Sequence, residues 1–77
     1  MPTIIYLFGL RFFFYSEEHL PIHVHVQNGD GRAKILVPSG EIVDNNGIKP
    51  RDMKKAVDIV EEYCDDIIKA WKEYFDE

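Results

Sequence analysis

The stretch IHVHVQNGDGRAKILV, residues 22–37, decides the fold because it reads as a complete β-hairpin. Apolar and polar side chains alternate on both sides of a turn, as they do in two half-buried strands. The turn NGDG, residues 28–31, supplies residue types that tolerate positive φ. One face of the hairpin is therefore polar and carries His23, His25, Gln27, Arg32 and Lys34.

Two further strands are predicted before the hairpin. Residues 3–15, TIIYLFGLRFFFY, are rich in β-branched and aromatic residues and are interrupted at Gly9. This composition predicts strands near 3–8 and 10–15. By alternation, three side chains of the second strand share the face that is not buried: Arg11, Phe13 and Tyr15.

The last third of the chain predicts a helix. Apolar residues recur at three- and four-residue spacing across 50–75, which predicts one amphipathic helix of about 25 residues. Pro50 suits the first helical position, and Asp52 in the first turn favours the helix dipole. A helix of this length extends beyond a small sheet, so Trp71 is a candidate anchor for a partner.

Together these elements predict a single α+β domain over residues 1–77. A small antiparallel sheet of four or five strands spans residues 3–44, with a short strand at 41–43 as the optional fifth. One long C-terminal helix, residues 50–75, packs on one face of this sheet. The other face is then open, and it is half polar and half aromatic.

Composition and charge narrow the class of protein. The 77 residues include 45% hydrophobic and 13% aromatic residues, which suffices for one core and is unlike a disordered chain. The net charge of −5 argues against nucleic-acid binding by the whole molecule. Residues 61–77 alone carry seven acids against two lysines. Five helix acids at four-residue spacings favour either a solvated face or a basic partner: Asp58, Glu61, Glu62, Asp65 and Asp66.

The single cysteine and the hydropathy pattern indicate a compartment. Cys64 is the only cysteine, which excludes an internal disulfide and favours a reducing environment. The sequence shows neither the pattern of a signal peptide nor an apolar run of membrane-spanning length. We therefore expect a cytoplasmic protein that does not interact with a membrane.

The segment EHLPIHVHV, residues 18–26, holds the candidates for chemistry. His23 and His25 are two apart on a strand, so their Cβ atoms lie about 6–7 Å apart on one face, within reach of one metal ion. Glu18 or His19 is the candidate third ligand for Zn²⁺ or another divalent ion. Without a metal, His23 and His25 are candidate general acids or bases, with Glu18 assisting. The alternative is that both histidines are ordinary surface residues of a strand.

The open face as a whole is a candidate binding surface. Arg11, Arg32 and Lys34 supply positive charge. Tyr15 and Phe13 add aromatic rings, so the face resembles a stacking platform for single-stranded RNA. The same cations count against a bound metal ion and in favour of a phosphate group. The alternative is that the aromatic rings pack against a partner protein or a second copy of the chain.

The runs RFFFYS, EHLPIHVHV and GDGRAK, followed by a helix that ends AWKEYF, resemble the bacterial family catalogued as domain of unknown function 4160. The resemblance covers nearly the whole chain. Family members usually carry two prolines before the first histidine of the His-x-His pair, whereas Ile22 directly precedes it here. The family motif marks four positions as functional without giving them a role: Glu18, His19, His23 and His25.

The resemblance implies no particular activity. Members are small stand-alone bacterial proteins, often encoded beside a second small protein in an arrangement similar to a toxin–antitoxin pair. The resemblance therefore implies an interaction module that binds a partner protein. The residues themselves keep a second function open, which is a small metal-dependent or histidine-based hydrolase or ribonuclease that uses the histidine cluster. Whether the chain is an enzyme is not decided by the sequence.

Overall fold

A computed structural model describes residues 3–15 and 18–75, which form a five-stranded antiparallel sheet followed by two helices. Each strand pairs with the next one along the chain, so the sheet is a simple meander in the order β1 to β5. The elements are β1 (Thr3–Leu7), β2 (Leu10–Phe13), β3 (His23–Gln27), β4 (Arg32–Leu36), β5 (Ile42–Asn46), α1 (Pro50–Glu62) and α2 (Cys64–Phe75). The predicted α+β class and the five-strand alternative are confirmed.

The inner face of the sheet and the two helices form one core. Phe12, Val24 and Ile35 lie on three neighbouring strands, and each is fully buried. Ala56 of α1 and Ile67 of α2 pack against the same cluster. Burial of each large apolar side chain contributes about 1.5–3 kcal/mol relative to exposure. The alternation predicted for β2, β3 and β4 is thus confirmed. The side of the sheet away from the helices is called the outward face below.

The prediction of one long C-terminal helix needs correction, because α1 ends at Glu62 and α2 begins at Cys64. Tyr63 lies between them with φ −108° and ψ 21°, outside helical geometry. Backbone hydrogen bonds still flank the interruption, because the amide of Ile67 donates to the carbonyl of Tyr63 at 3.0 Å. Within the described part of the chain, no helix is long and apolar enough to cross a membrane.

The interruption has a local physical cause. Tyr, Cys and Asp all have lower helix propensity than Ala, Leu, Glu or Lys, and they follow one another in the sequence YCDD at residues 63–66. Like charges at four-residue spacing weaken the same stretch by a few tenths of a kcal/mol per pair. Beyond the interruption, Ile67 and Trp71 turn into the core and are fully buried. Burial of these two side chains therefore compensates for the broken helix.

The sheet also extends further than predicted. Strand β5 runs from Ile42 to Asn46, so it passes the expected boundary at residue 44. All five of its residues are exposed, which makes β5 an edge strand with little part in the core. The weak apolar signal at this edge explains why the sequence located only its first residues.

The turn between β1 and β2 is conformationally strained. Phe8 has φ 54° and Gly9 has φ 75°, so both central residues of this two-residue turn are left-handed. Such turns strongly favour Asn-Gly or Gly-Gly, and a phenylalanine in the left-handed region costs about 1–2 kcal/mol. The ring of Phe8 is 73% exposed, and its described contact is Lys55, whose Nζ lies 4.9 Å from the ring centroid. Folding alone therefore does not account for a phenylalanine at this position.

We expect the substitution Phe8→Asn to stabilise the protein. Asparagine tolerates the left-handed conformation, and little buried surface is lost with the exposed ring. A gain of about 1 kcal/mol raises the melting temperature of a domain of this size by roughly 4–8 °C, measured by circular dichroism. Phe8→Ala is the matched control, since it removes the ring and keeps an unfavourable left-handed residue. A lower melting temperature for Phe8→Asn than for Phe8→Ala would show that the turn is not strained.

Candidate metal centre on the outward face

Strand β3 positions two histidines in the middle of the sheet. His23 and His25 point to the outward face, and their rings meet edge to face with centroids 5.1 Å apart. His25 is paired with Phe13 on β2 and with Lys34 on β4. It stacks on the ring of Phe13 at 5.6 Å. His23 is 4% exposed, because the ring of Trp71 from α2 covers it at 5.2 Å.

The segment before β3 returns across the outward face and brings a carboxylate to the two histidines. The backbone amide of Tyr15 donates to Oε2 of Glu18 at 3.2 Å, which ties this segment to the end of β2. Oε1 of Glu18 lies 3.1 Å from Nε2 of His23, and Oε2 lies 2.8 Å from Nε2 of His25. The three side chains are only 8%, 4% and 16% exposed, in the order Glu18, His23, His25. A carboxylate and two imidazole nitrogens therefore converge in a largely dry site.

A hydrogen bond at Nδ1 of His23, the ring nitrogen that faces away from Glu18, determines which tautomer the ring adopts. Nδ1 of His23 lies 2.9 Å from the carbonyl oxygen of Pro21, and a carbonyl oxygen only accepts. Nδ1 therefore carries a hydrogen, and in the neutral ring the lone pair is on Nε2. That Nε2 atom is buried and has no hydrogen-bond partner among the described residues, although the carboxylate of Glu18 is close. Nε2 of His23 and Oε1 of Glu18 are then both acceptors, and the two atoms lie 3.1 Å apart.

Such an arrangement is stabilised by a positive charge between the two acceptors. That charge is either a proton on Nε2 of His23 or a metal ion. A backbone carbonyl that holds the far nitrogen of an imidazole is also the usual support of a metal-ligating histidine. The geometry of His23 is therefore compatible with a metal ligand, and its burial distinguishes it from an exposed residue of a strand.

His25 is held in its neutral form. Burial lowers the pKa of His25 below its ordinary value, and the neighbouring His23 and Lys34 lower it further. Glu18 opposes this shift through its charge and its hydrogen bond. Burial is the strongest of these influences, so the unprotonated ring, which is the form that binds metals, is favoured.

The structure brings together three of the four candidate residues of the segment EHLPIHVHV. Ligand atoms of Glu18, His23 and His25 all lie within 4.8 Å of one another, and this trio is called the candidate metal centre below. His19 is exposed and is not part of the group. Glu18, rather than His19, therefore offers the third potential ligand atom. The sequence left these two alternatives open, because the path of the loop determines which side chain turns inward.

The predicted binding residues fall into two groups. Tyr15, Arg32 and Lys34 line a hollow of about 190 Å³ beside His25. The guanidinium of Arg32 donates to the hydroxyl of Tyr15 at 3.2 Å, which closes one wall of the hollow. Arg11 lies outside this hollow, with its guanidinium carbon 4.6 Å from the centroid of the Phe13 ring. These residues share the outward face, as expected from the alternation.

Trp71, in contrast, lies in the core. It is fully buried and packs on Phe14 at 5.3 Å and on Phe75 at 4.6 Å between ring centroids. It belongs to α2, which follows the interruption at Tyr63. Trp71 thus contacts the candidate metal centre from the core, through its ring contact with His23.

The outward face is less open than the alternation suggested. Phe13 is 1% exposed, because the His25 and Tyr15 rings and the Arg11 side chain cover it. Sequence reasoning also missed two residues that line the hollow, Asp44 and Asn46 of β5. Asp44 and Asn46 pair with Lys34 and Arg32 of β4, which places both on the outward face, whereas the sequence IVDNN at residues 42–46 carries no apolar alternation that would have shown it.

The fold and the site define a small α+β protein with two histidines and a glutamate gathered on the face of a meander sheet. The chain belongs to the family described as domain of unknown function DUF4160, whose model matches residues 9–72. The matched range includes the whole candidate metal centre. No curated protein and no solved structure gives a significant match to the chain.

The tautomer of His23 is directly measurable. At about pH 8, above the ordinary histidine pKa of about 6.5, we expect long-range ¹H–¹⁵N spectra to show the proton of His23 on Nδ1. The exposed His19 is the internal control, with no described contact that fixes either tautomer. A proton on Nε2 of His23 would mean that this atom simply donates to Glu18, and the two atoms would no longer both be acceptors.

Proposed function

We propose that the protein is a metal-dependent hydrolase whose divalent ion is held by Glu18, His23 and His25. The observation that carries this proposal is the buried Nε2 atom of His23, which lies 3.1 Å from a carboxylate oxygen and lacks a hydrogen-bond partner among the described residues. A divalent cation satisfies the lone pair, the carboxylate and the neutral ring of His25 at once. The alternative is a proton on His23 Nε2 together with the hydrogen bond that His25 Nε2 already donates to Glu18 at 2.8 Å, and the zinc titration below distinguishes the two.

The ligand set suits catalysis better than a purely structural role. Two imidazoles and one carboxylate form a three-ligand set of the kind found in catalytic zinc sites, where a fourth position is left for water. Structural zinc sites usually have four protein ligands, most of them cysteines, and the only cysteine of this chain is on α2. His25 is the most exposed of the three side chains and lines the 190 Å³ hollow, so a substrate approaches from that side.

The chemistry of such a centre is the hydrolysis of an ester bond. A zinc ion lowers the pKa of a bound water to about 7, which supplies hydroxide at neutral pH. The hydroxide oxygen bonds to the carbon or phosphorus of the ester, the bond to the leaving oxygen breaks, and that oxygen takes up a proton. Lys34, the cross-strand neighbour of His25, is the cation that would stabilise negative charge as it develops on the substrate.

The ion is the first thing to test. Calorimetric titration of the chelator-treated protein with Zn²⁺ is expected to give one-to-one binding. Glu18→Gln replaces one acceptor by an amide that can donate to His23, so the variant should fold. Its zinc affinity should fall by more than about 100-fold. That loss exceeds the 10–100-fold typical when a residue that only hydrogen-bonds to a ligand is removed. His19→Ala is the matched control and should bind as the unsubstituted protein does. Equal zinc affinity in the Glu18→Gln protein would refute the proposed ligand set.

Hydrolysis is tested with two chromogenic esters, bis(p-nitrophenyl) phosphate and p-nitrophenyl acetate. The zinc-loaded protein should release nitrophenol at least about 100-fold faster than the Glu18→Gln protein in the same zinc concentration, since a metal ion contributes several kcal/mol to such a reaction. The Glu18→Gln arm also measures hydrolysis by free zinc. Turnover that persists in the chelator-treated protein would instead support histidine acid–base catalysis without a metal, and no turnover of either ester would count against a hydrolase.

Binding of a partner protein in a toxin–antitoxin-like pair stays a separate prediction. The strained and exposed Phe8 belongs to a groove of about 410 Å³ that also includes Leu7, Ile59 and Tyr63. This groove lies at the end of the molecule formed by the β1–β2 turn and α1, among residues that the metal centre does not use. An enzyme and an interaction module are therefore compatible on the same chain.

A further inference from the structure

The register of the sheet arranges the outward face in rows, because directly paired residues of antiparallel strands lie on the same side. Two neighbouring rows run across the strands and together are called the polar rows below. The first row consists of Tyr6, Arg11, Gln27, Arg32 and Asn46. The second row consists of Phe13, His25, Lys34 and Asp44. His25 belongs both to the second row and to the candidate metal centre, so the centre adjoins the rows directly.

The rows are bordered by two shallow hollows. One, of about 290 Å³, is lined by Tyr6, Arg11 and Gln27 on the side of β1 and β2. The other is the 190 Å³ hollow beside His25, which lies towards β4 and β5. A ligand that follows the first row passes from one hollow to the other. This shape suits an extended chain rather than a compact small molecule.

Charge is segregated between the two sides of the molecule. The polar rows contain three cationic side chains and one carboxylate, Asp44. The described helices carry seven acids against five basic residues, and five of the acids are exposed close together at Asp58, Glu61, Glu62, Asp65 and Asp66. Residues 50–77 carry nine acids against five basic residues, which accounts for −4 of the net charge of −5. On the outward face the three cations of the polar rows exceed the two carboxylates, Asp44 and the neighbouring Glu18, by one positive charge. The overall acidity, which argues against nucleic acid for the whole molecule, does not apply to this face.

Aromatic surface accompanies the cations. Tyr6 is 66% exposed and begins the first row, next to Arg11. A base can stack on its ring, and every base has a face that permits this. The amides of Gln27 and Asn46 add hydrogen-bond donors and acceptors along the same row. Cations that follow a backbone, combined with a stacking ring, are the features of sites for single-stranded nucleic acid.

We propose that the polar rows bind single-stranded nucleic acid through its phosphodiester backbone and place one phosphodiester at the candidate metal centre. Binding depends on the rows alone, whereas cleavage of the bound strand rests on the proposed hydrolase function. The spacing supports a single strand, because Arg11 and Arg32 are two strands apart, at about 10 Å, and Arg32 and Lys34 are about 7 Å apart along β4. RNA and DNA share this backbone, and the 2′-hydroxyl is what distinguishes them.

The experiment measures binding without metal. Chelator-treated protein is titrated into fluorescein-labelled RNA and DNA single strands of about ten nucleotides, a length within the usual site size, and fluorescence anisotropy is followed at several salt concentrations. With three phosphate contacts, the logarithm of the binding constant should fall with the logarithm of salt with a slope of about −2. Affinity then drops by about 20-fold between about 50 and 200 mM salt. Tighter binding of RNA than of DNA of the same sequence would show that the 2′-hydroxyl is contacted.

Two double variants test whether the rows are responsible. Arg32→Gln/Lys34→Gln should reduce the slope to about −0.7, because one contact remains. Lys69→Gln/Lys72→Gln removes the same charge from exposed positions of α2 and should leave both slope and affinity unchanged. Thermal melting by circular dichroism verifies that both variants are folded. Equal losses in the two double variants would show that net charge alone, and not this face, drives the interaction.

The outcomes separate this inference from the proposed function. A protein that binds zinc but no oligonucleotide even at low salt remains a candidate hydrolase, and the inference about nucleic acid is then wrong. A protein that binds single strands but no zinc supports the polar rows and refutes the metal centre. Duplexes of the same length bound as tightly as single strands would overturn the assignment to single-stranded nucleic acid.

Discussion

The two-residue period of strand β3 is the constraint on which both halves of the molecule depend. Val24 and Val26 project into the core, so His23 and His25 must project to the outward face. A slip of one residue would bury the imidazoles among leucine, isoleucine and phenylalanine side chains and expose the valines, which the hydrophobic free energy forbids. The core and the candidate metal centre are therefore two sides of one strand, and the register that stabilises the first also positions the second.

The central position of β3 extends this constraint to its neighbours. His25 is flanked by Phe13 and Lys34, one on each adjacent strand. Phe13 provides an apolar wall that keeps water from the imidazole, and Lys34 adds a positive charge on the opposite side. The low pKa of His25 follows from these surroundings, with burial as the main cause. A histidine of this kind remains a neutral nitrogen ligand at a pH where exposed histidines begin to take up protons.

The sequence predicts the parts of this structure that repeat. Alternation in residues 22–37 and the NGDG turn identify the central hairpin, and the same rule places Arg11, Arg32 and Lys34 on one face. The features that the sequence does not reveal are those that occur once and follow no periodic pattern. The apolar spacing continues unbroken through Tyr63, so nothing in the pattern separates two helices from one. No Gly or Pro marks the interruption at Tyr63.

Likewise, Glu18 reaches the two histidines because of the path that the loop backbone takes, and sequence spacing does not predict that path. A loop residue has no period, and Glu18 and His19 are equally plausible ligands until the backbone direction is known. The carbonyl of Pro21, which fixes the proton of His23, is invisible to any argument from side chains. The sequence thus predicts the two residues of the candidate site that lie on a strand, His23 and His25. It does not predict the two groups that the loop contributes, the carboxylate of Glu18 and the carbonyl of Pro21.

The ligand atoms of the candidate centre all come from residues 18–25, a short and continuous piece of chain. Closing so short a loop removes little conformational entropy. An ion at this site would therefore link only the loop that carries Glu18 to strand β3. Binding of the ion would then mainly order residues 18–22 and would have little effect on the packing of the helices. Because these eight residues run from the loop into the first three positions of β3, grafting them as one segment at the start of a strand in another antiparallel sheet would transfer all three candidate ligands together.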